Sequence, residues 1–251
     1  MLKFSPANAK LKALANVDEL KPFLQGKRRI YSLDILSGWS CPFAKDCLSK
    51  VVQLNGKATI KDGPHTEFRC FSASQEALYP SVYKMRKSNF DQLRACSSPA
   101  EFAQLIESSL PKNAGIIRIH VAGDFFSAAY LAGWITVAKN NPNRLFYAYT
   151  KSLKFWLELR DQLPENLVLT ASLGGRLDPL IEEHNLRSVI VVNHPDDTQL
   201  DIDHDDSHAA RPSMRNQNFA LLIHGIQPAG SEAAAAIKRL KAEKIEFAYS
   251  R

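Results

Sequence analysis

The sequence predicts an α/β protein: six parallel β-strands with helices between them, curled into a partial (β/α)6, TIM-like barrel that carries a long helical insertion after its first strand. Three observations predict it. Short β-branched or aromatic runs, each closed by Gly, Ser or Asn, recur along the chain, and most precede an amphipathic helical stretch. Several runs place polar residues on one face, which a doubly wound sheet buried under helices on both faces disfavours. The stretch between the first and second runs, about 39–115, far exceeds an ordinary βα loop of about 2–6 residues.

In chain order the strand runs are Arg29 to Gly38, Ile116 to Asp124, Arg144 to Ser152, Leu167 to Gly175, Ser188 to Asn193 and Phe219 to Gly225. Helices are expected over Ser127 to Lys139, Leu153 to Leu163, Asp178 to His184 and Ser231 to Glu243, the last opening on a Ser-Glu cap. Within the insertion, Ser74 to Arg94 and Pro99 to Leu110 read as helices. In the second run, Ile117, Ile119 and Val121 share one face, and Arg118, His120, Ala122 and Asp124 the other. Thr170 and Ser172 share a face in the fourth run, Asp34 lies in the first, and Asn193 and His224 fall at or near the ends of the last two. Polar groups near the carboxyl ends of successive strands are where barrel folds place their sites.

The chain has 251 residues, 45% apolar and 23% charged, which is enough for a full core and excludes a disordered chain; one domain over 1–251 is expected. Its formal charge of +6 favours an anionic partner or substrate. No run approaches the ~18 apolar residues of a membrane span, and the first twenty residues lack a signal-type apolar core. A cytoplasmic protein with no membrane partner is the expectation.

Directly after the first strand run comes SGWSCPFAKDC, and further on RCFSAS, giving the spacing Cys41-x5-Cys47-x22-Cys70. Cys41 and Cys47 sit among Ser, Pro, Lys and Asp, a poor setting for core thiols. Three soft thiolates without an obvious fourth suit a [4Fe-4S] cluster with one open iron. A structural zinc site would favour Cys-x2-4-Cys pairs, absent here, and buried free thiols remain the plain alternative. Cys96, in LRACSSP, is the nearest fourth thiol, at an expected helix end.

The runs SGWSCPFAKDC, RCFSASQEALYPSVYKMR, RIHVAGDFFSAAYLAGW, FYAYTKS and LLIHGIQPAGS together resemble the phage gene product 88 family over nearly the whole chain. The layout is also distantly similar to radical S-adenosylmethionine enzymes, which place a three-cysteine cluster loop after the first strand of a partial barrel. That similarity implies metal ligation by Cys41, Cys47 and Cys70, and S-adenosylmethionine as a further cofactor. It assigns the methionine-binding role to Gly123 and Asp124, and ribose contacts to Ser172 and Arg176. The spacing departs from that family's Cys-x3-Cys-x2-Cys, because the third ligand arrives from a distant segment.

Tyr149, Lys151 and Ser152 end the third run, where a lysine suits a phosphate, a carboxylate or a cluster's negative charge. His120 and His224 are candidate acid-base groups. Asp124, Lys151 and His224 are therefore expected as catalytic groups, with Gly123, Asp124, Ser172, Arg176 and Asn193 binding a cofactor or substrate. The segment 194–212, with His194, His204, His208 and six aspartates, reads as a solvated acidic loop, or a lid if it folds over the barrel mouth. Lys84, Arg86, Lys87 and Arg94, interleaved with Tyr79, Tyr83 and Phe90, form either an ordinary amphipathic helix or a nucleic-acid face.

The leading expectation is an iron-sulfur enzyme, radical-type or open-iron, acting on a small or anionic substrate with an electron donor as partner. A cluster-bearing module that binds nucleic acid or protein is the alternative, and a zinc-dependent hydrolase the third.

Overall fold

The computed structural model describes residues 1–247. Nine strands form: β1 (Phe4–Pro6), β2 (Arg29–Leu33), β3 (Ser49–Leu54), β4 (Lys57–Asp62), β5 (Ala114–Ile119), β6 (Leu145–Thr150), β7 (Leu167–Ser172), β8 (Ser188–Val192) and β9 (Phe219–Leu222). The helices are α1 (Ala9–Ala13), α2 (Phe71–Leu78), α3 (Pro80–Arg94), α4 (Pro99–Ser109), α5 (Ala128–Asn140), α6 (Leu153–Glu158), α7 (Pro179–Glu183), α8 (Ser207–Ala210) and α9 (Glu232–Ala242).

One seven-stranded sheet has the order β1-β2-β5-β6-β7-β8-β9. All six strand runs read from the sequence are present, mutually parallel and in chain order; only the edge strand β1 is antiparallel. The sheet is open, ending at β1 and β9, so it is not a closed barrel. The strands stop sooner than their sequence runs: β5 ends at Ile119, and residues 120–124 leave the ladder with His120 and Gly123 at positive φ.

The two sheet faces have separate cores. Ile117, Ile119, Phe146, Ala148, Leu167 and Leu169 belong to the larger one, with Phe102, Ile106, Leu131 and Trp134 of α4 and α5. Both helices start on serine caps: Ser98 accepts from the Glu101 amide and Ser127 from that of Tyr130. On the opposite face, Ile30, Ile116, Leu145, Val168, Val189 and Phe219 pack with Leu11, Leu14, Leu20, Ala209 and Ala210. That face is apolar near the strand starts and polar further along, through Arg118, Tyr147, Tyr149, Thr170 and Ser172. Alternation of side chains along each strand therefore leads one face toward a polar site.

The insertion carries strands as well as the expected helices. Its first part is the antiparallel hairpin β3–β4, turned by Asn55 and Gly56 at φ 50° and 75°. The Asn-Gly pair is the sequence signal for such a two-residue turn. The helix read over 74–94 is two helices, α2 and α3, broken at Tyr79 because Pro80 disfavours a helical residue before it.

Candidate metal and ligand site

At the carboxyl ends of the parallel strands lies a cavity of about 170 Å³, walled by β5 to β9 on one side and by the insertion on the other. Cys41, Cys47 and Cys70 all line it, together with Gly123, Asp124, Lys151, Ser172 and His224. Two expected contacts do not meet there. Arg176 is exposed and outside the cavity; its segment turns away to pair with the cysteine loop, through Ala44 with Gly175 and the Arg176 amide on the Phe43 carbonyl. Asn193 lines a separate pocket and bonds Glu232 of α9 at 3.4 Å.

The cysteines converge because the hairpin returns the chain to its starting point. The Gly63 amide donates to the Leu48 carbonyl at 2.7 Å, so β3 and β4 leave and rejoin the body side by side. The Glu67 and Phe68 amides then donate to the Asp46 carbonyl, next to Cys47. Arg69 is fixed by Asp62 through a 2.6 Å ion pair and by Gln227, which bonds its amide and carbonyl. Cys70 follows, as the N-cap of α2. The long x22 spacing is therefore local in space.

Burial raises all three thiols. Cys41 lies well above the usual thiol range, with Asp124, Cys70 and Cys47 adding to the effect. Cys47 is pushed up to about 11 by burial, with the Lys151 charge pulling the other way. Burial also raises Cys70, against bonds from the Ser72 and Ala73 amides at the start of α2. Cys70 thus raises both Cys41 and Cys47, and adjoining thiols of this kind form a set whose charged forms call for a compensating cation. Cys96 is elsewhere, packed on the larger core with its Sγ on the Gln92 carbonyl. Among the described residues, no group of three or more His, Cys, Asp or Glu side chains is arranged to hold a single metal ion.

The polar groups around the thiols are tied to the fold. Asp124 accepts from Thr150 Oγ1 at 2.6 Å, from the Lys151 amide at 2.8 Å and from its neighbour's amide at 2.7 Å. Burial nonetheless pushes its carboxyl up to about 6. Lys151 Nζ donates to the Ser172 hydroxyl at 2.9 Å and to the carbonyls of Ser172 and Leu173, pinning the end of β6 to that of β7. Asp34 accepts from the Val121 and Ala122 amides and shapes the loop after β5. These are positioning contacts, so neither Asp124 nor Lys151 is idle before a ligand arrives. His224 is half-buried with Nδ1 against the Leu222 carbonyl and its ring on Phe71, and desolvation lowers its pKa. His120 is held neutral, pushed down to about 3 by burial and by Arg118, with Nε2 2.9 Å from the Tyr130 hydroxyl. Its Nδ1 faces no partner among the described residues.

Deeper on the same wall is a charge network that was not legible from the sequence. Asp206 pairs with Lys10 at 2.9 Å and with Arg118, and accepts from the hydroxyls of Tyr147 and Tyr149. Arg118 also stacks on Tyr149, 5.0 Å from the ring centre. The reading of 194–212 as a solvated loop is corrected here: Asp203 and Asp206 are buried, and Asp203, His204 and Asp205 line an outer cleft of about 910 Å³. That cleft shares Lys10, Phe71, Val121, Leu221 and His224 with the inner cavity, and the acidic segment runs beside β9, the Asp203 amide donating to the Ala220 carbonyl at 2.9 Å. The charged Arg118 inside an apolar run was the one visible hint; nothing in the sequence marked Lys10.

Gly123 shows how tightly the loop is built. At φ 95°, a Cβ there would stand 2.4 Å from Ile35 Cγ1 and 2.7 Å from Ser40 Oγ, beside Cys41. Gly123→Ala is expected to cost about 3 kcal/mol, from a left-handed backbone plus overpacking. Gly230→Ala, at φ 80° with open space around it, should carry only the backbone part. Thermal melting of the two variants separates the steric share; equal losses would contradict the close packing.

Comparison with known proteins gives a family but no activity. A family model described as gene product 88 matches residues 2–245. The Gene 88 protein of Mycobacterium phage L5 is 28% identical over 142 residues, covering 53% of this chain and 51% of that protein. The match thus spans about half of that relative's length. No solved structure matches. No helix among the described residues is long and apolar enough to cross a membrane. Because the match runs over almost the entire chain, this protein belongs to the gene product 88 family.

Proposed function

We propose that Cys41, Cys47 and Cys70 hold a [4Fe-4S] cluster and that the protein is an enzyme acting on a small substrate in the adjoining cavity. The observation that carries this reading is the convergence of three thiols from two segments onto one cavity at the carboxyl ends of parallel strands. The donor set fits: three half-buried thiols, helix-start amides on Cys70, and the Lys151 charge beside Cys47. A cluster spreads its ligands around several metal atoms, so its thiolates stand further apart than the ligands of a single ion. A structural zinc site would favour Cys-x2-4-Cys pairs, which the sequence lacks. When bound, the cluster would supply an electron or an open iron acting as a Lewis acid.

The chain's own residues define the rest. Lys151 places a positive charge beside Cys47, where it offsets accumulating negative charge. Asp124 locks the loop after β5 onto the start of the loop after β6. His224, half-buried and with a lowered pKa, offers a neutral imidazole to the cavity, whereas the His120 ring is turned to Tyr130. The acidic segment and Phe71 separate the inner cavity from the outer cleft. The in-order parallel strands support a partial-barrel reading of the sheet. For S-adenosylmethionine, Gly123, Asp124 and Ser172 lie on the cavity, whereas Arg176 and Asn193 do not, so the proposed enzyme is of the open-iron class first and radical-type second.

The test is anaerobic reconstitution with iron and sulfide, followed by visible absorption and by electron paramagnetic resonance before and after reduction. A broad charge-transfer absorption and a signal that changes on reduction are expected, and Cys96→Ala should retain both. A colourless protein with no signal after reconstitution would overturn the reading.

A further inference from the structure

The hairpin β3–β4 has an outward face that the cavity does not use. Residues that alternate with the buried Ser49 and Val51 place Lys50, Val52 and Leu54 on that face, opposite Lys61, Thr59 and Lys57. Lys57, Thr59 and Lys61 are exposed, and Leu54 near the turn is 57% exposed. Asp62, the single acid in these two strands, alternates to the other side and is occupied by Arg69. Lys50 and Lys61 are directly opposed in the ladder, an arrangement of like charges that costs stability. Beside them is Trp39, 48% exposed, its Nε1 fixed on the Val51 carbonyl and its ring 4.2 Å from Lys50 Nζ.

We propose that this face, Lys50, Lys57 and Lys61 with Trp39 beside them, is a nucleic-acid contact surface that engages the phosphate backbone. Its cations run along a two-stranded ribbon instead of forming a compact patch: Lys57 and Lys61 are four residues apart on β4, about 13 Å. A ribbon of this kind fits the major groove of a duplex, and lysines along it meet a linear array of phosphates. A fixed, half-exposed indole offers a base a stacking surface. The chain's net charge of +6 supports an anionic polymer as partner. The basic helix α3 is the weaker candidate, because Arg86 is buried on Glu76 and Lys87 is paired with Asp91. The surface stands apart from the cysteine cavity, so this proposal holds or fails independently of the cluster.

Fluorescence anisotropy with a labelled 20-base-pair DNA duplex and a 20-nucleotide single strand, over a salt series, tests it with the full chain. The triple variant Lys50→Gln, Lys57→Gln, Lys61→Gln should bind at least tenfold more weakly at low salt. Its slope of log affinity against log salt should shrink by up to about 2.7 on duplex, at about 0.9 per phosphate contact. Lys84→Gln should leave both unchanged, and a melting temperature of the triple variant no lower than that of the wild type shows that it folds. No salt-dependent binding by the wild type, an unchanged slope in the triple variant, or equal competition by polyglutamate, as an acidic protein partner would give, overturns the proposal.

Discussion

Asp206→Ala is expected to cost about 3–5 kcal/mol, the usual penalty for removing one member of a buried charge network. Asp206 is fully buried and sits between two cations, the half-buried Lys10 and the buried Arg118, while also accepting from two tyrosine hydroxyls. Its removal takes a counter-charge from both cations at once. The loss extends beyond the pair, because Asp206, at φ 63°, immediately precedes α8, and Lys10 belongs to α1. The same carboxylate therefore ties the amino-terminal segment and the acidic loop to the centre of the sheet. A chain of this size should lose roughly 10 °C in melting temperature, at about 2–4 °C per kcal/mol.

The same residue gives a pH dependence with a definite sign. Burial alone would raise the Asp206 pKa, but Arg118 and Lys10 overcome it and hold the carboxyl down to about 2, against 3.8 when unperturbed. The folded value lies below the unfolded one, so the contribution is present above about pH 4 and lost as pH falls toward about 2. Its size is about 2 kcal/mol. Chemical denaturation at several acid pH values, comparing wild type with Asp206→Asn, checks this: the stability gap should narrow as pH falls. A gap independent of pH would mean that the carboxylate's charge is not what stabilises the network.

The second large effect is expected from the thiols. Cys41, Cys47 and Cys70 each supply one wall of a single cavity, with no fourth cysteine near enough to substitute, since Cys96 packs on the far core. Changing any one to Ala removes a third of the soft donors and should abolish cluster retention. Folding should largely survive, because the loops that carry these thiols are held by other groups: Ser40 on the Leu36 carbonyl, Arg69 on Asp62, and Glu76 on Ser37 and Arg86. Metal loss with an intact melting transition is the signature that separates a ligand from a structural thiol.

The parallel strands were legible because each is a compact β-branched or aromatic run, and a run of that kind has few other ways to satisfy its backbone. Their chain order followed from short connections. The site was legible where polar residues interrupt those runs: Asp124, Lys151, Ser172 and His224 all reach the cavity that the cysteines line. Arg176 and Asn193 were misplaced because a position just past a strand says nothing of which way the loop then turns. The Arg176 segment pairs with the cysteine loop, and Asn193 turns toward α9. The hairpin went unread although Asn55-Gly56 marks it, since its strands are mostly polar and carry little apolar alternation. Asp206 was beyond reach for a different reason: in an acidic run, the one carboxylate buried against distant cations looks like its solvated neighbours.

The most direct measurement of the central claim is quantification of iron, acid-labile sulfide and zinc in protein purified without oxygen, for the wild type and for Cys41→Ala, Cys47→Ala and Cys70→Ala in parallel. About four iron and four sulfide per chain, lost in every one of the three variants, is the predicted result. Wild-type protein without iron and sulfide, or variants that keep them, would contradict it.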